Sequence, residues 1–267
     1  MKTAFLAALI ACAGLGGPIA AYAQDAQSPD KTARAPLAPA PTAPVESPAK
    51  TVALYGNSYT HYNNNLNTRL RDLTRSLLPE KAKGYSYRGV TISSGLLGWH
   101  APNLVFQNSL KQWDTVIFQG NSMEPIAEDA EDRAYFTKSA VEMAQIAQEA
   151  GSAVVYFMTW APKDQPELTE PLAKAYVEIA AKTGGYVAPV GLAFAAGAQR
   201  FPEIDLYHPD GKHPSLEGTY LAACVFFATL YNQSPLGGDI PIASDMSPET
   251  ARRLQILAWD TVQAFRS

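Results

Sequence analysis

Three residues in this chain could carry out one chemistry together, although they lie far apart in sequence. Ser58 follows a short apolar run and a glycine in Val52-Ala53-Leu54-Tyr55-Gly56-Asn57-Ser58. A serine hydroxyl attacks a carbonyl only when a base takes its proton, and that base needs a group to hold its orientation. The chain has four histidines, His61, His100, His208 and His213. The segment DLYHPDGKHPS, residues 205–215, offers two Asp-x-x-His pairs, Asp205/His208 and Asp210/His213. In a turn, that spacing lets the carboxylate hold one imidazole nitrogen while the other faces a hydroxyl. Ser58 with either pair would form a nucleophilic acyl-transfer set, and the spacing alone does not choose between the pairs. The same residues have plainer readings. Ser58 could cap a helix, and Pro209-Asp210-Gly211 is a strong turn signal in its own right. His208, Asp210 and His213 could also be read as metal ligands, but a fourth ligand is not apparent.

These side chains need a scaffold. Residues 51–55, 115–119, 153–160 and 185–191 are short apolar runs bounded by turn residues, and 85–93 is rich in β-formers. Between them lie helical patterns. Leu66, Leu70, Leu73 and Leu77 recur at spacings of three and four, which marks one helix face. Residues 132–151 repeat that pattern and end on Gly151, and 167–185 follow suit. Ser247-Pro248 opens a last helix as a cap and a first-turn proline. Alternating strand and helix predicts an α/β domain with a largely parallel sheet and helices on both faces. Such sheets bind ligands beyond the carboxyl ends of their strands. Ser58 lies just past the first predicted strand, and Gln119 to Pro125 lie at the end of the 115–119 run. Trp160 ends the run 153–160 on the same edge, where its ring could stack on a sugar or acyl group or pack into the core. Ser215 reads as a helix cap, and Cys224, in an apolar helical stretch, reads as a buried inert thiol.

Four short blocks now carry a resemblance. GNSYT (56–60), SSG (93–95), FQGNS (118–122) and DGKHPSLEGTYLAA (210–223) occur in the order of the blocks of the SGNH, or GDSL-like, hydrolase superfamily. The chain resembles that superfamily from residue 51 to about residue 231. The resemblance implies a flavodoxin-like three-layer α/β/α fold and a serine esterase. It implies Ser58 as nucleophile, His213 as base and Asp210 as its partner, with Asp205/His208 as the second choice. For the oxyanion hole it implies the N–H groups of Ser58 and Gly95, with Gly98 as an alternative glycine. It adds a side-chain donor from Asn121, or failing that Gln119. Two features depart from the pattern: Asn57 stands where Asp is common, and Gly120-Asn121 lacks the spacer of the usual Gly-x-Asn.

Charge and composition narrow the partners. Acidic residues number 25 and basic ones 21, with no basic cluster, which argues against nucleic acid. Residues 1–23 read as a secretory signal peptide, because a lysine, a short apolar run and small residues follow in order. That run is short for a membrane span, so no span is expected in the mature chain. Residues 24–50 carry six prolines and almost no large apolar side chain, which predicts an extended, disordered linker. Residues 51–267 are then one catalytic domain, secreted or periplasmic. The expected activity is metal- and cofactor-free hydrolysis of a carboxylic ester, with O-acetyl carbohydrate as one candidate substrate. The alternatives are a carbohydrate O-acyltransferase using the same serine, and a non-catalytic carbohydrate-binding module.

Overall fold

The structure, a computed structural model, describes residues 41–46, 49–241 and 244–267. The expected signal peptide and most of the expected linker lie outside the described residues.

Five strands form a single sheet: β1 (Thr51–Gly56), β2 (Ser86–Thr91), β3 (Thr115–Phe118), β4 (Ala153–Phe157) and β5 (Tyr186–Ala188). Their order is β2-β1-β3-β4-β5 and every pairing is parallel. Side chains alternate across a strand, so each strand feeds two cores. Val52, Leu54, Ile117, Val155 and Phe157 point into one of them. There they meet α2 (Leu66–Leu77), α6 (Val190–Arg200), α7 (Leu216–Tyr231) and α8 (Pro248–Arg266). Ala53, Tyr55, Val116, Phe118, Val154 and Tyr156 point the other way. They meet α3 (Ala101–Leu110), α4 (Ala130–Glu149) and α5 (Thr169–Thr183). The result is three layers, α/β/α. The strands are apolar on both faces because both faces are covered. The same logic explains α7, where Gly218 through Leu230 are all buried. It packs between the sheet and the helices α2, α6 and α8, so it has no solvent face to keep polar.

Two expectations need correction, and one helix stands where none was expected. The apolar run 185–191 is a strand only as far as Ala188. Pro189 has no N–H to continue the ladder, and α6 starts at Val190. Helix α3 was not legible in the pattern, because Leu104 is its only fully buried side chain while Val105, Phe106 and Leu110 are exposed. The linker is also shorter than its composition suggests. The Val187 N–H on β5 donates to the Pro41 carbonyl at 3.0 Å. Ala43 and Val45 pack on the core, and Ala49 is buried with its carbonyl accepting from the Tyr231 hydroxyl at 2.9 Å. Small apolar residues among the prolines are enough to hold this strap against the sheet, so the folded domain begins by Pro41.

Candidate active site

Ser58 sits at the top of the sheet, on a strand-to-helix junction. β1 ends at Gly56, and Ser58 is the first residue of the one-turn helix α1 (Ser58–His61). Asn57 caps that turn. Its side-chain oxygen accepts from the Tyr59 N–H at 3.1 Å, and its carbonyl accepts from Thr60 and His61. Beneath it lies Gln119, which is 1% exposed. The Gln119 carbonyl oxygen accepts from the Asn57 N–H at 3.2 Å and the Thr60 hydroxyl at 2.6 Å. Its amide nitrogen donates to Asn57 Oδ1 at 2.6 Å and the Gly120 carbonyl at 2.9 Å. Gly56 makes room for this network, since a Cβ there would lie 2.4 Å from both Gln119 Oε1 and Thr60 Oγ1. Buried His100 reaches the Gly56 carbonyl through Nε2 at 2.9 Å, and burial lowers its pKa, which favours the neutral imidazole donating that proton. The position of Ser58 is therefore fixed by buried hydrogen bonds rather than by a mobile loop.

The partner loop precedes α7. Tyr207 and Pro214 form an isolated antiparallel bridge, and Gly211 turns the chain at φ +69°. Asp210 Oδ1 accepts from the backbone N–H groups of Lys212 and His213, both at 2.9 Å. Its other oxygen lies 2.6 Å from His213 Nδ1. His213 Nε2 lies 2.9 Å from Ser58 Oγ. Burial alone would push the Asp210 carboxyl up. The Lys212 and His213 N–H groups and the His213 ring outweigh it and hold the group well below the usual carboxylate range. Asp210 is thus ionised, so Nδ1 carries the proton and Nε2 presents a lone pair to Ser58. Two contacts brace the loop. Trp160 Nε1 donates to the Lys212 carbonyl at 2.8 Å. Asn63, just past α1, donates to the Pro214 and Ser215 carbonyls at 3.1 and 2.8 Å. Ser215 caps α7 by accepting from the Gly218 N–H at 3.0 Å.

Asp205 and His208 do not form a second pair. Asp205 binds Lys163 Nζ at 2.7 Å and the Tyr207 N–H at 3.1 Å. His208 Nδ1 instead stands 3.4 Å from Asp210 Oδ2. Among the described residues, no three His, Cys, Asp or Glu side chains converge as a metal site.

The oxyanion donors come out differently from expectation. Among the described residues the Ser58 N–H meets no acceptor, while the next three N–H groups of its turn are all taken by Asn57. The Gly95 N–H, in contrast, closes a tight turn onto the Ile92 carbonyl at 2.9 Å, with Ser94 at φ +54°. Gly98 packs towards α4, where a Cβ would lie 2.4 Å from Ser139 Oγ. Asn121 donates one amide hydrogen to the Ser94 carbonyl at 3.2 Å and keeps a second. Its backbone N–H donates to Glu124 Oε2 at 2.7 Å, and the Leu97 N–H reaches the same oxygen at 3.1 Å. Glu124 is therefore the buried joint between the two loops.

Neither a family model nor a curated protein sequence matches the chain. Solved structures do. One is a protein from Slackia heliotrinireducens assigned as an SGNH hydrolase, 26% identical, with a TM-score of 0.55 over 68% of this chain and 98% of that one. A DUF4886 family protein from Bacteroides uniformis is 16% identical, with a TM-score of 0.63 over 81% and 96%. An acetyl xylan esterase, AlAXEase, is 14% identical, with a TM-score of 0.54 over 67% and 98%. The chain is similar in fold to these SGNH-type hydrolases.

In this protein the structure brings Ser58, His213 and Asp210 into one hydrogen-bonded line and leaves Asp205 outside it. Three of the residues singled out from sequence have other work. Gln119 spends its whole amide on fixing Asn57, Thr60 and Gly120 and offers no free donor. Gly95 is held in its turn. Trp160 is 1% exposed, and its two faces are covered by Tyr59 at 4.4 Å and Phe194 at 4.0 Å, both parallel to it. No face remains for a sugar, so the ring braces the His213 loop instead. Sequence reasoning missed Glu124, whose role depends on two loops meeting. It also missed Tyr62, whose spacing of four from Ser58 was a usable signal, being one helical turn.

Proposed function

We propose that this protein is a serine esterase that cleaves carboxylic esters with Ser58 as nucleophile, His213 as general base and acid, and Asp210 as the group that orients it. One observation carries the reading: the line Asp210 Oδ2–His213 Nδ1 at 2.6 Å and His213 Nε2–Ser58 Oγ at 2.9 Å. Ser58 Oγ attacks the ester carbonyl as its proton passes to His213 Nε2, and the imidazolium is balanced by Asp210. The negative charge gathering on the carbonyl oxygen is met by the Ser58 N–H and the Asn121 amide. His213 then gives its proton to the leaving alcohol. A water molecule, activated by the same imidazole, releases the acid and restores Ser58.

The finer reading is that the ester is an O-acetyl group on a carbohydrate and that the enzyme acts outside the cytoplasm. The signal-peptide pattern of residues 1–23 supports export, and export places the site among extracellular glycans. The test is hydrolysis of p-nitrophenyl acetate by residues 24–267, followed by acetate release from acetylated xylan. Ser58→Ala and His213→Ala are expected to lose activity on both. A Ser58→Ala protein that hydrolyses p-nitrophenyl acetate at the wild-type rate would overturn the assignment. Turnover of the p-nitrophenyl ester without acetate release from glycans would keep the esterase and reject the sugar.

A further inference from the structure

The base of a serine hydrolase must stay in one orientation through two proton transfers, and one hydrogen bond does not ensure that. Asp210 holds a single atom of the His213 ring, Nδ1, and leaves the plane free to swing about that contact. In this protein a second element fixes the plane. Tyr62 lies flat on His213, with ring centroids 4.3 Å apart and planes 9° from parallel. Tyr59 meets the same imidazole edge-on at 5.6 Å. Tyr59 itself rests on Trp160, and Trp160 on Phe194, so this support runs into the core. Tyr62 is tied equally firmly, because its N–H donates to the carbonyl of Ser58 at 2.9 Å. The turn that carries the nucleophile therefore also carries the plate on which the base rests. Movement of one is coupled to movement of the other, and the 2.9 Å gap between Ser58 Oγ and His213 Nε2 is preserved.

From this geometry, and resting on the Ser58–His213–Asp210 reading above, we infer that Tyr62 is a positioning residue for catalysis. Its ring fixes the plane of His213 and presents a π-face to the imidazolium that forms in each transition state. A cation over an aromatic face is stabilised by the ring quadrupole, and the effect belongs to the charged form rather than to substrate binding. The loss should therefore appear in kcat and not in KM. It also belongs to the ring rather than to the hydroxyl, so phenylalanine should replace tyrosine. Tyr62 touches His208 edge-on as well, at 5.8 Å, but the imidazole nitrogen 2.9 Å from Ser58 Oγ is that of His213.

The experiment compares Tyr62→Leu, Tyr62→Met and Tyr62→Phe with wild type and Ser58→Ala. Two readouts are taken: steady-state hydrolysis of p-nitrophenyl acetate, and the rate at which diethyl p-nitrophenyl phosphate labels the enzyme. In labelling, Ser58 Oγ bonds to phosphorus, p-nitrophenolate leaves, and the serine proton passes to His213, so the rate reports nucleophile activation directly. Tyr62→Leu is expected to lower kcat and the labelling rate by about 5- to 30-fold with KM within about twofold. Tyr62→Phe should stay within about twofold of wild type by the same reasoning. Should Tyr62→Leu fail to fold, Tyr62→Met, which fills similar space without a π-face, is read in its place. A non-aromatic variant that labels at the wild-type rate would overturn the inference, as would a Tyr62→Phe protein as impaired as Tyr62→Leu. Ser58→Ala separates the two levels. If it is labelled normally, the triad reading fails; if it is silent while Tyr62→Leu is normal, only the role of Tyr62 fails.

Discussion

Asp210→Asn tests the site through a single atom. The substitution keeps the size of the side chain, and an amide oxygen can still accept from the Lys212 and His213 N–H groups now bound at 2.9 Å. The amide nitrogen then replaces the oxygen that stands 2.6 Å from His213 Nδ1. An amide nitrogen only donates, so Nδ1 must accept and the ring proton moves to Nε2. Nε2 then points an N–H at Ser58 Oγ, 2.9 Å away, and cannot take the serine proton. The imidazolium also loses its counter-charge. In a fully enclosed triad this change costs about 10⁴-fold in kcat. The Asp210 side chain is 37% exposed, so water can solvate part of the developing charge. We therefore expect a loss of about 10³-fold, equivalent to about 4 kcal/mol of transition-state stabilisation. The assay is kcat for p-nitrophenyl acetate near neutral pH, with Asp205→Asn as the control, since Asp205 binds Lys163 and not a histidine. An Asp210→Asn enzyme within threefold of wild type would refute the tautomer argument. Equal losses in both variants would show that the loop fold, not the carboxylate, was being measured.

Other outcomes follow from the same geometry. Asn121→Ala should lower kcat by about 10²- to 10³-fold with little change in KM, because only the transition state carries the charge it meets; steady-state kinetics decide it. Trp160→Ala should cost about 3–5 kcal/mol of stability, read as a lower denaturant midpoint, since it empties the space between Tyr59 and Phe194. Wild-type stability with a raised KM would instead return that ring to the substrate. His208→Ala should keep kcat within a few-fold; a loss as deep as that of His213→Ala would reassign the base. Glu124 gives a pH prediction. Burial raises its carboxyl pKa, against the lowering effect of the Asn121 and Leu97 N–H groups. The folded chain then holds this proton more tightly than the unfolded chain. Its contribution is fully present below the ordinary glutamate range and is lost as pH rises through the raised value. The melting temperature of Glu124→Gln should therefore gain on wild type as pH rises above the ordinary glutamate range of about 4. A difference that stays constant with pH would show that Glu124 does not titrate there.

The legible parts of the molecule were those governed by local rules. Apolar runs of five to eight residues and the β-former-rich stretch 85–93 gave the strands, and the leucine spacing gave α2. Ser247-Pro248 gave the start of α8, where Ser247 Oγ accepts from the Thr250 N–H at 3.0 Å. At Asp210 and His213 the Asp-x-x-His spacing puts a carboxylate oxygen 2.6 Å from an imidazole nitrogen. Which pair met Ser58 was not readable from spacing, because Lys163, distant in sequence, claims Asp205. The long-range parts were hidden for the same reason. Gln119 looked like a free donor until the fold brought Asn57 and Thr60 onto its amide. Trp160 sat on the right edge of the sheet, but only packing shows both of its faces covered. Helix α3 escaped because a helix at the surface with one buried residue carries almost no apolar period.

The strap around Pro41 has a consequence for the edge of the sheet. The outer side of β5 is an open edge, able in principle to accept a strand from another chain. Here the Val187 N–H is already occupied by the Pro41 carbonyl. A proline there cannot extend the ladder outward, because it has no N–H to offer a newcomer. Chains started at Thr51 would free that edge and bare the patch that Ala43, Val45 and Ala49 cover. They would be expected to associate or precipitate before any assay of the serine was reached. Proteins meant for such work should begin ahead of Pro41.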